Sequence, residues 1–344
     1  MEYPEFLRKI PKVELHCHLE GSVRPTTAIE LARAHDIRLP SDDPEKLYDY
    51  NNLVDFLAVY VPISQSIVSR EEFARVAFES LEDGVLLGNL RYREMFFNPT
   101  NHYAFGADYE TAVDGVVDGS RRAEETYGVR CRMIVAINKY DGPGAAVELV
   151  RQVLEQPHDE VIGIGSDHLA PDNRERPGMF VEAYRLARSG GLHVTAHAGE
   201  IDSSSPADVL EALDELGCER VDHGYHVVDD PEAVKRVRDE AVPFTCCPHS
   251  SERLSGWTDY LAHPVKQMFD AGLRVTFNTD DPPMFRTDIG WEYEDTCPRM
   301  EFSVDDAVQI AMNGVEATWL DGDERRRLRT GFEAEIAELR GELE

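Results

Sequence analysis

Apolar residues along the chain gather into eight short runs bounded by turn-forming residues. They are VELHCH (13–18), LRYREMFF (90–97), CRMIVAIN (131–138), VIGIG (161–165), HVTAHAG (193–199), RVDHGYH (220–226), PFTCCP (243–248) and RVTFNTD (274–280). Most are rich in Val, Ile, Phe or Thr, and several are almost continuously apolar. Strands buried on both faces of a parallel sheet have this pattern. Between the runs, apolar positions recur at helical spacing over 26–36, 71–88, 111–128, 145–156, 180–191, 207–217, 231–240 and 264–272, and many of these segments stop at Gly. Alternating strands and helices imply right-handed βαβ units. Eight of them predict an α/β fold of the closed (β/α)8 TIM-barrel type. An open doubly wound sheet is the alternative, but no GxGxxG follows the first run.

Two stretches exceed a minimal barrel. Residues 37–69 form an insertion after strand one containing the amphipathic, aromatic LYDYNNLVDFLAVYVPI. At the mouth of a barrel such a segment serves either as a lid or as extra core packing. The tail, 303–344, reads as two extra C-terminal helices, the last alternating Glu and Arg on a solvated face. The expectation is one domain over 1–344.

Composition narrows the partners. The formal charge is −31 over 344 residues, so nucleic acid and anionic membranes would be repelled; a solvated surface, adapted to high salt, is the simpler reading. No run approaches the roughly 18 apolar residues of a membrane span, and no secretory signal is visible. The six cysteines form no CxxC pair and read as buried free thiols. A cytoplasmic location is expected, and oligomeric state is not legible.

The chemistry lies at the ends of the runs. His16 and His18 flank Cys17, and residues two apart on a strand point the same way, so both imidazoles face one point. His197, ending strand five, approaches that point from across the barrel, and Asp280, ending strand eight, adds a carboxylate beside strand one. Three imidazoles and a carboxylate suit one Zn²⁺ with a water at an open position. Lys139, ending strand three, could be a carboxylated ligand of a second metal, but no second ligand set is evident, and an ordinary surface lysine is expected. His223, in DHGYH at the end of strand six, would face the mouth, whereas His226 reads as a barrel-lining histidine. Asp281 adjoins Asp280, so one serves as ligand and the other as a hydrogen-bonding group. Glu200 remains free to give or take a proton.

With PKVELHCHLEGS (11–22), TAHAGE (195–200), DHGYH (222–226) and NTDDP (278–282) in order, the chain resembles the adenosine/adenine deaminase family from residue 11 to about 320. The resemblance implies that His16, His18, His197 and Asp280 bind one zinc, which activates water for attack on C6 of a 6-aminopurine. It further implies that His223 orients or deprotonates that water, Glu200 protonates N1, Asp281 bonds N7, and ammonia leaves. LRYREMFFNPTNH (90–102), Glu20 of HLEG and HPVKQMFDAGLRVTFNTDDP resemble the bacterial adenine-deaminase branch more than the vertebrate adenosine enzymes.

Two segments depart from the family. Where adenosine deaminases carry a DLAG-type segment whose Gly donates to the purine, this chain reads GIGSDHLAPDN (163–173). After NTDDP it reads PMFRTDIGWEYE (283–294), which is expected to bring Arg286 and Trp291 near the mouth. These departures fit adenine or adenosine, or a larger N9 substituent as in 6-amino-6-deoxyfutalosine. Glu20 either takes a ribose hydroxyl or closes the pocket against ribose. Outside deamination, the competing readings are another amidohydrolase-type metal hydrolase, acting on an amide or phosphoester, and a catalytically silent relative.

Overall fold

The computed structural model describes residues 1–50 and 53–343; Asn51 and Asn52, inside the expected insertion, and Glu344 lie outside the described residues. Parallel strands β1 (Lys12–Glu14), β2 (Leu90–Phe97), β3 (Arg130–Asn138), β4 (Val161–Asp167) and β5 (His193–Val194) pair in chain order. Strands β6 (His197–Ala198), β7 (Val221–His223), β8 (Pro243–Cys246) and β9 (Arg274–Phe277) continue in the same sense. The run read as strand five is thus two short strands, with the intervening Thr195 N–H still donating to Ile164 O at 3.0 Å.

The ring closes where the site is built. Asp280 N–H donates to His16 O (3.2 Å) and His18 N–H to Asp280 O (2.8 Å), and Cys17 bridges Asp280 in parallel register. Charged pairs are buried near this seam as well as hydrocarbon. Arg93 pairs with Glu14, and Arg220 with Glu94, all four almost fully buried. Glu14 also accepts the Thr279 N–H at 3.0 Å, tying β1 to the residue before Asp280. Removing one partner of such a pair leaves an uncompensated buried charge, at a cost of about 3–5 kcal/mol.

The expected helices form for local reasons. Arg70–Gly88 starts in a capping box of Ser69 with Glu72 and stops at Asn89 in the left-handed region (φ 55°). Tyr109–Tyr127 is capped by Asp108, ends at Gly128 (φ 74°) and buries Ala112, Val113, Val116 and Val117. Helices Tyr3–Lys9, Pro248–Ser255 and Ile289–Arg299 are additional. PHSSERLS carries no apolar stripe to announce it, and Pro298 masks the last of the three.

In the insertion, helix Leu53–Gln65 covers one side of the mouth, with Phe56 stacked on Phe285 (5.3 Å between ring centres). Tyr48 OH donates to Val23 O (2.6 Å) and Tyr50 OH to Met284 O. The tail forms Val304–Ala317, which packs on β1 and β9, and Gly322–Gly341, which buries only Phe332 and Ile336. All six cysteines are buried and free. Among the described residues no helix is long and apolar enough to cross a membrane.

Candidate active site at the barrel mouth

The C-terminal ends of β1, β6, β7 and β9 bring His16, His18, His197, His223 and Asp280 together. One ligand atom from each of His16, His18, His197 and Asp280 lies within 4.8 Å of all the others. Nε2 of His16 and of His18 each sit 3.3 Å from Asp280 Oδ1. Ser250 Oγ donates to the other carboxylate oxygen at 2.6 Å, aiming Oδ1 at the imidazoles. The His16, His18 and His197 rings stand over Phe96, with centres 4.7, 5.1 and 5.6 Å from it, which leaves the cluster a dry floor. Asp280 and His223 both adopt φ of 63°, a conformation that side chains other than Gly hold only when the surroundings impose it.

The cluster fits a divalent cation. His16 Nε2 and His197 Nδ1 are buried without a hydrogen-bond partner, although buried polar atoms are seldom left unpaired. Burial opposes charge on both histidines, but Asp222 and Asp280 outweigh it at His16, and Asp280 with Asp281 and Asp167 outweigh it at His18, lifting them to about 9 and about 10. A positive charge is therefore demanded at this point. Asp222, which sequence reasoning passed over inside DHGYH, has Oδ1 3.3 Å from His16 Nδ1 and accepts Thr245 Oγ–H at 2.8 Å. Metal-bound histidines are usually oriented by such a carboxylate on the other ring nitrogen. A second grouping, His223 with Cys247 and Asp280, is the poorer one, because burial holds the Cys247 thiol well above its ordinary range and so keeps it neutral.

Around the cluster stand further buried titratable groups. Burial pushes His223 down to about 3, so its imidazole is neutral; Nε2 has no hydrogen-bond partner and lies 3.7 Å from Glu200 Oε1. Burial, then the charges of Asp280 and Glu175, push Glu200 up to about 8. Glu175, from a loop with no periodic signal, accepts Gly199 N–H (2.6 Å) and Glu200 N–H (2.9 Å) and so fixes the turn that presents Glu200. Asp281 is buried with Oδ1 unpartnered. It presses so closely on Gly21 that a Cβ there would lie 1.6 Å from Asp281 Oδ1, which is why HLEGS requires glycine at this position.

A cavity of about 440 Å³ opens above these groups. Its inner end is His18, His197, Glu200, Asp280 and Asp281; Phe56, Leu57, Tyr60, Ile201 and Leu254 line much of the rest, together with Asp167 and His168.

Several expectations need correction. Lys139 is not a surface lysine: it is 1% exposed, and its Nζ donates to His197 O at 3.3 Å, because β3 ends inside the rim. Glu20 is fully buried and is not part of the cavity wall. Its Oε1 accepts from Asn98 N–H (2.8 Å) and faces His102 Nε2 (3.1 Å), and its Oε2 has no partner. Arg286 and Trp291 line a separate groove with Phe285 and Arg253, and Arg286 pairs with Asp49 at 2.9 Å. His226 does not line the barrel but sits partly exposed in the turn after β7, bonded to Asp229.

Comparison with known proteins agrees with this geometry. The adenosine deaminase family model matches residues 11–335. Adenine deaminase of Psychrobacter cryohalolentis is 29% identical, covering 93% of this chain and 95% of the relative. Adenosine deaminase of Clostridium botulinum is 31% identical, covering 94% and 97%. Among solved structures, adenine deaminase from Arthrobacter aurescens superposes with a TM-score of 0.87 at 32% identity, covering 96% of this chain and 98% of that one. A Zn-bound amidohydrolase from Burkholderia ambifaria reaches 0.91 at 32% identity, covering 98% and 94%. The chain belongs to the adenosine deaminase family.

Proposed function

We propose that the chain is a zinc-dependent aminopurine deaminase that hydrolyses the C6–N bond of adenine or adenosine and releases ammonia. The observation that carries this reading is the convergence of four mutually adjacent ligand atoms, from His16, His18, His197 and Asp280, beside a Glu200 carboxyl held protonated. One Zn²⁺ per chain suits three imidazoles and one carboxylate; when bound, it makes a water acidic enough to act as a nucleophile near neutral pH.

The chain's own groups do the rest. Neutral His223 would accept a hydrogen bond from a water held at the cluster and relay its proton to the departing amino group, which leaves as ammonia. Glu200, protonated in its buried setting, donates to N1, which lets C6 become tetrahedral. Asp281 bonds at N7, and the pair brackets the ring so that C6 faces the cluster. Buried Phe96 below and the apolar wall above exclude bulk water. The chain works as one unit over 1–344, with 37–69 as a lid over the mouth and the cytoplasm as its setting.

The cavity extends past the metal end along Leu57, Leu169, Ile201 and Leu254, which favours a second reading in which the substrate carries an N9 substituent. Among the described residues no Lys or Arg lines it, whereas Asp167, Asp202, Asp280 and Asp281 do, a balance that favours an uncharged substituent over a phosphate or carboxylate. An ammonia-release screen of adenine, adenosine, 2′-deoxyadenosine, AMP and aminodeoxyfutalosine tests both. The expected result is at least a hundredfold preference for an uncharged substrate, about 2.7 kcal/mol in transition-state binding. A preference for AMP would overturn the substrate assignment, and inertness toward every aminopurine would overturn the reaction.

A further inference from the structure

The segment GIGSDHLAPDN places three polar groups in the cavity wall that the mechanism leaves unused, Asp167 and His168 at the end of β4 and Asn173 further along the loop. Asp167 is 3% exposed, and Asn98 Nδ2 donates to both its oxygens at 2.8 and 3.0 Å. Asp167 Oδ1 lies 2.8 Å from His168 Nδ1. A carboxylate only accepts, so Nδ1 carries the proton. No described residue bonds Nε2 of His168, and the side chain, partly exposed, lines the cavity. His168 is also held at φ 57°, a conformation uncommon for a non-Gly residue and a mark of constrained functional positions.

Strand order says what His168 meets. With C6 at the cluster, N1 faces Glu200 after β6, and N7 faces Asp281 after β9. The far arc of the ring runs from N1 through C2, N3 and N9 to N7. The strand ends on that side of the mouth run in the same order, from β6 through β5 and β4, then β3, β2 and β1, to β9. In that order the first strand end beyond β6 whose residues line the cavity is that of β4, which would set the nitrogen beyond N1 opposite His168.

We propose that His168, locked by the Asn98–Asp167 pair, donates through Nε2 to N3 of the purine and reads that edge of the base. The proposal rests on the deaminase reading of the site. The charge needed for Nε2 to carry a proton comes from Asp167: burial opposes charge on His168, but Asp167 outweighs it and raises the imidazole above its ordinary range. The other residue whose ring approaches it is Tyr60, with ring centres 6.0 Å apart.

The test compares the 6-oxopurine product with its 3-deaza analogue as competitive inhibitors of the zinc-loaded enzyme. The analogue replaces the N3 acceptor by C–H, and neither compound is turned over. The wild type should bind the parent product roughly tenfold to a hundredfold more tightly, the range for a hydrogen bond to a charged donor. His168→Asn, which tolerates the left-handed backbone but shortens the donor arm, should bring that ratio near one by weakening the parent alone. A wild-type ratio near one, or a ratio unchanged by the substitution, overturns the assignment. Imidazole ¹⁵N spectra of the wild type are independent of how the variant folds: His168 Nε2 should shift with the parent and not with the analogue, and equal shifts would refute the contact. Failure to bind either compound, with no ammonia released from any aminopurine, would remove the deaminase reading itself. Ammonia release with an unchanged ratio would remove His168 alone.

Discussion

Replacing Glu200 by Gln isolates proton donation, because little else changes. The turn is held by Glu175 through the Gly199 and Glu200 backbone N–H groups, and Glu200 is not among the four grouped ligands. The amide is nearly isosteric, so substrate still fits, but it has no acidic proton for N1. General acid–base catalysis contributes about 10²- to 10⁴-fold, or about 2.7–5.5 kcal/mol of barrier, and kcat should fall by that factor. The sign with pH follows from the raised carboxyl. Glu200 lies near 8 in the metal-free chain. A cation on Asp280 cancels the repulsion from that residue and leaves burial as the main upward push. The protonated form is the active one, so kcat/KM should fall as pH rises through the Glu200 pKa, and Glu200→Gln should flatten that limb. The assay is steady-state ammonia release at graded pH, with metal content measured on the same samples. A variant within a few fold of wild type, or one with the alkaline limb intact, would refute Glu200 as the donor.

Other perturbations address the supporting residues. Asp222→Asn removes the carboxylate beside His16 Nδ1 and should weaken zinc binding about 10- to 100-fold, read by competition with a chromophoric chelator; unchanged affinity would contradict its orienting role. Glu175→Gln weakens the acceptor of two backbone N–H groups and should lower kcat without releasing the metal; loss of metal instead would place its effect on His197. The net charge of −31 predicts that screening self-repulsion with added salt raises Tm, and a flat or falling Tm between 0.1 and 1 M salt, roughly a threefold change in Debye length, would show that the excess acid is already paired.

Much of this is legible in the sequence, for identifiable reasons. A buried parallel strand announces itself by a near-continuous apolar run, so the centres of β3 and β4 emerge from the pattern alone. The four candidate ligands are visible because His16, His18, His197 and Asp280 terminate such runs, and a barrel collects strand ends at one mouth. What escaped lacks periodicity or depends on burial. Glu175 sits in an irregular loop, and its role arises from two backbone hydrogen bonds that no spacing encodes. Asp222 lay in plain sight within DHGYH, but only the fold shows that it reaches His16 on another strand. Lys139 reads as a surface residue in sequence because nothing local says that β3 ends within the rim. Arg286 and Trp291 are close to Asp281 in sequence, yet the turn after it and the Asp49 pairing carry them into a neighbouring groove.

The requirement of deamination for one cation held by His16, His18, His197 and Asp280 is the step on which the mechanism turns. It is tested most directly by stripping the protein with a chelator and titrating Zn²⁺ back while following ammonia release from adenine and adenosine. Activity should be absent at the start, rise in proportion to added zinc and break sharply at one equivalent per chain. Full turnover by the stripped protein, or a break at two equivalents, would contradict the account.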